Sequence, residues 1–271
     1  MEERNAVYVY AVARPFPQHR LGDARGVGGC PVYVVSQQNL AAAVSSIPVN
    51  SYDERGFRAH LEDIEWLESA ARAHHRVVDE ISQNSAVIPL RMASVYDGEE
   101  QVRALLRDEH GRFEGLLRRL SGRVEWGVKI STCPPARPGG VTQGARGAAD
   151  RTYRDERRRP PVGAEDLRRD AAALARRADD LVGGLAEARE DHHPPDTRRS
   201  GTGGESVMHT SYLIPADRTP QILRIAERLR ASVPRGIRIT VSGPWAPYSF
   251  ATMALGAADT RHICPAVKAR L

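Results

Sequence analysis

Two histidines stand side by side at His74 and His75, and a second pair, His192 and His193, lies between Asp191 and Asp196. Imidazole and carboxylate are the side chains of acid–base and metal chemistry, so a mechanism is sought there first. Adjacent residues on a helix point about 100° apart, so His74 and His75 do not converge on one metal ion. In the second cluster Pro194 and Pro195 stiffen the loop, no third ligand is placed by spacing, and no metal is expected. The Gly-rich stretch 200–206 lacks the Gly-Lys-Ser/Thr ending of a phosphate loop. Gly26, Gly28 and Gly29 do not have the spacing of a dinucleotide loop that opens a helix. No cofactor is therefore expected. Cys30, Cys133 and Cys264 are far apart and form no CxxC pair, which argues against a zinc ribbon and a redox pair. An enzyme would need a polar cleft joining His74, Arg91 and a carboxylate. The residues themselves supply no nucleophile–base pair, metal set or phosphate loop, and none is assigned a catalytic role.

A different chemistry is concentrated near the C-terminal end. Trp245, Tyr248 and Phe250 fall within six residues, interleaved with Pro244 and Pro247, in a chain that is only 6% aromatic. Such a stretch either plugs its own domain or presents a surface that binds a partner. Both readings stand at this point.

Hydrophobic content of 41% and charge of 27% suit a globular chain with a real core. There is no apolar run of about 18 residues, and the N-terminus lacks the basic and apolar regions of a signal peptide, so a cytosolic location is expected. The net charge of +5 and pI of about 9.4 hint at an anionic partner. Lysine, however, occurs only at Lys129 and Lys268; the skew towards arginine reads as coding bias, and acidic residues are interleaved almost throughout. A nucleic-acid partner is not expected.

The elements that must position these residues follow from periodicity. Residues 6–13 are apolar on both faces and predict a central strand. A second strand is expected over 32–35, and 40–47 fits either a strand or a short helix. A long helix is expected from about Asp53 to Asn84, its stripe running through Phe57, Leu61, Ile64, Leu67, Ala71, His74, Val78 and Ile81. On that stripe His74 reads as a buried, hydrogen-bonded residue. Residues 87–96 predict a strand with a proline, in which an inward Arg91 would need a carboxylate. One helix over 102–120 with a weak point at Gly111, and a strand over 124–130, complete a small α+β sheet domain with helices on one face. Residues 132–162 read as a flexible Gly/Pro/Arg-rich insertion. From Glu165 to Glu190 an Ala-rich helix carries a narrow seam of Leu167, Leu174, Leu181 and Leu185. A strand at 207–215, a helix at 218–232 and a strand at 237–241 follow. Gly243-Pro244 is expected to end that last strand, and the tail after Phe250 to be irregular. The predicted division is an N-terminal α+β domain, 1–122, and a C-terminal domain, 123–271.

Five blocks in this order carry a resemblance: Val7-Tyr8-Val9-Tyr10, Val87-Ile88-Pro89-Leu90-Arg91, Glu125-Trp126-Gly127-Val128-Lys129, Tyr212-Leu213-Ile214-Pro215, and Gly243 through Phe250. On them the chain resembles the gas vesicle protein F/L family (GvpF/GvpL), over residues 6 to 251. The departures are the region 133–162 and the tail after Ala251. The resemblance implies two sheet-and-helix domains of α+β and α/β type, the C-terminal one ferredoxin-like. It also implies a non-enzymatic accessory role in building gas vesicles. The implied partners are the apolar shell protein and other accessory proteins, in the cytoplasm or at the vesicle, without a membrane. The residues put forward for that interface are Trp245, Pro247, Tyr248 and Phe250, with Leu174 and Leu181 from the helical seam. The competing reading is an RNA- or nucleotide-binding α/β module, which rests on the pI and on small sheet-and-helix units.

Overall fold

The computed structural model describes residues 5–48, 63–83, 85–133, 163–192 and 205–255. The start of the long helix expected from Asp53, most of the 132–162 insertion, His193, Asp196, residues 200–204 and the tail beyond Leu255 lie outside the described residues. The chain divides into two compact units. One holds the residues up to Glu125, Leu213–Asp217 and those from Gly243 on; the other holds Trp126–Tyr212 and Arg218–Ser242.

The first unit is built on β1 (Asn5–Ala13). It pairs antiparallel with β3 (Leu40–Pro48), which pairs in turn with β2 (Tyr33–Gln37); β4 (Val87–Pro89) and β5 (Val95–Tyr96) pair with the other side of β1. The register runs Val9↔Val44 and then Ala11↔Ala43, so Tyr10 is the extra residue of a β-bulge. The bulge resets the alternation of side chains. Ala6, Tyr8 and Tyr10 before it, and Ala11 and Ala13 after it, therefore join one core cluster. That cluster is closed by Ala70, Ala73, Val77, Val78 and Ile81 of α1 (Ile64–Ser82), whose first turn is capped by the Asp63 carboxylate accepting from Trp66 N–H at 3.0 Å.

Several expectations are corrected here. Residues 40–48 are strand, because β3 is paired on both sides. The single strand over 87–96 is two short ones, β4 and β5, separated by a turn with Ala93 at φ 64°. Arg91 lies in that turn, exposed, and needs no buried carboxylate. The helix over 102–120 is two helices, α2 (Glu99–Asp108) and α3 (His110–Leu120), with the break at Glu109 rather than Gly111. Helices do not cover one face only. Val7, Val9 and Val12, which point away from the α1 cluster, are as buried as their neighbours, and α2 and α3 also pack on this sheet. On α1 the stripe begins later than expected: Ile64 is 72% exposed.

The edge strand β2 is closed by a side chain. The Gln18 amide donates to the Val32 carbonyl at 2.9 Å and accepts from Val34 N–H at 3.0 Å, taking the place of a neighbouring strand.

The second unit is served by β6 (Arg123–Thr132), α4 (Ala164–Gly183), β7 (Ala188–Asp191), β8 (Ser206–Pro215), α5 (Thr219–Ala231) and β9 (Ile237–Trp245). Its sheet order is β7-β8-β6-β9. The helix expected to reach Glu190 stops at Gly183, and 188–191 is an edge strand. The buried stripe of α4 is Ala171, Leu174, Ala178 and Val182, at steps of three and four. The seven-residue seam of leucines is therefore not the packed one. A step of seven falls about 20° short of two full helical turns, which carries Leu181 off the buried centre line. Strand β9 does not end at Gly243-Pro244 but continues to Trp245. It is an edge strand, so the missing N–H of Pro244 is tolerated. The residues after Pro247 form a helix, α6 (Tyr248–Leu255), and not a loop.

Candidate functional site

The aromatic–proline stretch lies in the first unit beside the buried carboxylate of Glu125. Ala246 and Phe250 are buried hydrophobic residues, and Pro247 is buried with them. The first turn of α6 has free amide N–H groups, and Glu125, only 8% exposed, supplies the acceptor. Its carboxylate takes the Ser249 backbone N–H at 2.9 Å and the Ser249 hydroxyl at 2.7 Å. A negative charge at a helix start is also favoured by the backbone dipoles. Tyr248 packs edge-on against His75, with ring centres 5.0 Å apart, and lies 6.2 Å from His74.

His74 is wholly buried. The Tyr8 oxygen accepts the Ala93 N–H at 3.1 Å and shares a hydrogen bond with His74 Nδ1 at 3.0 Å. Burial holds its pKa down to about 4, helped by the neighbouring His75 and opposed by the Leu90 backbone. The expected buried, hydrogen-bonded histidine is what the fold contains. Arg91, exposed in its turn, forms no cleft with it.

Of the interface candidates, Trp245 alone in this stretch faces solvent, at 49% exposure. With Pro244, Ala246 and Pro247 it lines a cleft of about 630 Å³ whose other wall includes Asp79, Val87 and Arg123. Two polar groups near this cleft have no hydrogen-bond partner among the described residues. One is the Tyr248 hydroxyl, fully buried; burial first, and then the Asp79 charge, raises its pKa. The other is the Asp79 carboxylate, half-buried, with its pKa raised by burial and partly restored by His75 one turn back.

The family model described as "Gas vesicle synthesis protein GvpL/GvpF" matches residues 6–252. The chain belongs to the GvpL/GvpF family. It is 40% identical over 250 residues to gas vesicle protein L of Streptomyces sp. (strain CB03234), covering 91% of this chain and 93% of that protein. It is 27% identical to gas vesicle protein F of the same strain, over 90% of this chain and 99% of that one. The crystal structure of GvpF from Anabaena sp. PCC7120 aligns with a TM-score of 0.65 at 19% identity, over 91% of this chain and 96% of that chain. At that identity the likeness concerns the fold. The family match spans the five sequence blocks that carried the resemblance.

Within this GvpL/GvpF chain the other candidates lie in the second unit. Leu174 is buried under α4, while Leu181 is 37% exposed. Among the described residues, Asp191 and His192 are engaged by other side chains. Both Asp191 oxygens accept from Arg189, one also from the Thr210 hydroxyl, and His192 Nε2 is 2.8 Å from the Ser211 hydroxyl. Among the described residues no group of three or more His, Cys, Asp or Glu side chains could hold a metal ion, and no helix is long and apolar enough to cross a membrane.

The residues that sequence reasoning missed are Glu125, Asp79 and the Tyr8 hydroxyl. Glu125 carried a faint signal, as a charge inside an apolar strand block. Asp79 carried none, since its position on α1 reads as a solvent face.

The His74 geometry sets a pH dependence. The unfolded chain takes up this proton near the ordinary value of 6.5, the folded chain only near 4. Folding is therefore favoured above 6.5, and stability falls as pH drops through the window from 6.5 to 4, by roughly 3 kcal/mol from this group. Urea unfolding at a series of pH values should show a slope in that window that His74→Phe reduces by about one proton. An unchanged slope would assign the acid sensitivity elsewhere.

Proposed function

We propose that this protein is a non-enzymatic accessory factor of gas vesicle assembly, acting in the cytoplasm or at the growing vesicle. It contacts the apolar shell protein or a fellow accessory protein. The observation that carries the reading is Trp245: a large aromatic ring, half exposed beside a cleft with apolar and polar walls, on a segment anchored by Ala246, Pro247 and Phe250 and tied to Glu125. Subunits of a shell that repels water expose apolar surface before they assemble, and aggregate unless another surface covers or orders them. A firmly anchored, half-exposed aromatic at the edge of a recess suits that task, since aromatic anchors dominate binding energy. The buried candidates Pro247 and Phe250 support the segment from within; Tyr248, half-buried, lies at its margin. Leu181 is a second contact point on the other unit, with Leu174 beneath it. We also read the second unit as ferredoxin-like. The chain order β6-α4-β7-β8-α5-β9 with sheet order β7-β8-β6-β9 supports this. In sequence the division falls near 122/123.

The test is co-purification of the shell protein, and separately of the other accessory proteins, with tagged protein. Trp245→Ala should reduce recovery of at least one of them about tenfold, with Leu181→Ala acting more weakly. Because the ring is half exposed, its truncation should cost far less than the roughly 3–5 kcal/mol of a core aromatic, and thermal unfolding confirms that the variant is folded. Undiminished recovery of every partner by a folded Trp245→Ala protein, or normal flotation of cells lacking the chain, would overturn the proposal.

A further inference from the structure

The two most exposed large apolar side chains among the described residues are Ile64, at 72%, and Leu223, at 50%. Each sits on a helix whose inner face is packed, and the charges around them are of opposite sign. Ile64 opens α1 beside the capping carboxylate of Asp63. Glu68 follows one turn later on the same face, Glu65 lies beside it, and both are exposed. No basic residue occurs between Asp63 and Arg72, which reaches back to Glu68 at 3.2 Å in an exposed pair. Such a pair is worth little and is readily exchanged. Leu223 has the opposite setting. Residues 218–242 hold six arginines and a single carboxylate, Glu227. Arg224 and Arg228, one turn apart on the outer face of α5, are exposed and make no ion pair among the described residues. Arg168, Arg169 and Arg189 of the same unit, by contrast, each hold a carboxylate. Residues 218–242 contain no aromatic ring and no histidine, so the bases of a nucleic acid find nothing to stack on here, and protein carboxylates are the better match.

We propose that this protein associates with itself head to tail, the start of α1 in one molecule seating on the outer face of α5 in the next. Ile64 and Leu223 cover one another, and Glu65 and Glu68 meet Arg224 and Arg228. A guanidinium fork matches a carboxylate with two hydrogen bonds, and the pairing strengthens as the apolar contact excludes water. Arg72 and Glu227, the exceptions in charge on the two faces, are complementary to each other. The two surfaces differ, so the interface is heterologous: a pair of molecules keeps one free face of each kind, and association continues beyond the dimer. The contact uses neither Trp245 nor its cleft, so it stands or falls apart from the partner contact proposed above.

The test is sedimentation velocity on the full-length protein, freed of nucleic acid. At about 50 mM salt the weight-average sedimentation coefficient should rise with concentration. At about 0.5 M salt, where charges are screened within about 5 Å, it should return to that of the monomer. Arg224→Gln with Arg228→Gln, and separately Glu65→Gln with Glu68→Gln, should each weaken self-association at least tenfold. Thermal unfolding should stay close to that of the parent, because all four side chains are exposed. Mixing the two double variants should give a 1:1 complex that grows no further, since one supplies an intact α1 face and the other an intact α5 face. Leu223→Ser should weaken the parent association severalfold and leave its salt dependence in place. A parent that stays monomeric at low salt leaves both faces to solvent or to other proteins and overturns the proposal. So does self-association that either double variant retains in full, or a mixture of the two that forms no complex.

Discussion

Replacing Glu125 with alanine is expected to destabilise the protein by about 2–4 kcal/mol and to loosen the segment that carries Trp245. The carboxylate is 8% exposed and accepts both the backbone N–H and the hydroxyl of Ser249. Hydrogen bonds to a charged acceptor are worth about 1.5–3 kcal/mol each, though two to one carboxylate do not simply add. The alanine variant leaves the first turn of α6 without an acceptor, in surroundings that exclude most water. Glutamine at this position keeps one acceptor and should cost about half as much. Ser249→Ala removes only the hydroxyl bond and should cost about 1 kcal/mol. A double-mutant cycle by urea unfolding checks the origin: the coupling between Glu125→Ala and Ser249→Ala should exceed about 0.5 kcal/mol. Stability of Glu125→Ala within 0.5 kcal/mol of the parent would contradict this account. The same variant links fold to function, because recovery of partners should fall even though Trp245 is still present.

Gly26→Ala is expected to cost about 3 kcal/mol or more. Its φ of −82° is one that any residue adopts, so the cost is steric and not conformational. A Cβ at this position would overlap the Tyr10 hydroxyl, and would lie 2.7 Å from its ring carbon Cζ and 2.8 Å from Ser45 Oγ. Neither neighbour has room to retreat. Tyr10 is fully buried; its hydroxyl donates to Ser45 Oγ at 3.0 Å and accepts from Val27 N–H at 2.9 Å, and Ser45 Oγ in turn donates to the Pro31 carbonyl. Overpacking such a site breaks the network that ties the turn at 26–31 to β1 and β3. Tyr10→Phe removes the oxygen that clashes most. It should therefore be destabilising by itself yet recover at least 1 kcal/mol in the Gly26→Ala background, measured by chemical denaturation. Simple additivity of the two would show that the turn, not the tyrosine, yields.

The sequence by itself determined the pieces whose signal is local. Residues 6–13 are apolar at every position, and only a strand covered on both faces satisfies that pattern. His74, Val78 and Ile81 recur at helical steps, and they are buried together. The five ordered blocks carried the family resemblance, and the family match over residues 6–252 spans them all. The tertiary structure decided what depends on neighbours far along the chain. Ala41, Ala42 and Ala43 have strong helix propensity, yet they form strand because β1 and β2 pair with them from both sides. The bulge at Tyr10, which turns five residues of one strand towards one core, is visible only in its register with β3. Pro244 reads as a terminator and lies inside a strand, because its missing N–H matters only if another strand is there to accept the bond. Leu174 and Leu181 are equivalent by a count of seven, but a helix that packs once on a sheet follows 3.6 residues per turn and buries only the first. Glu125 and Asp79 read as ordinary surface charges; one became a helix cap and the other an unpaired carboxylate in a cleft. A charge takes its role from the groups around it, and those are set by contacts more than a hundred residues apart for Glu125.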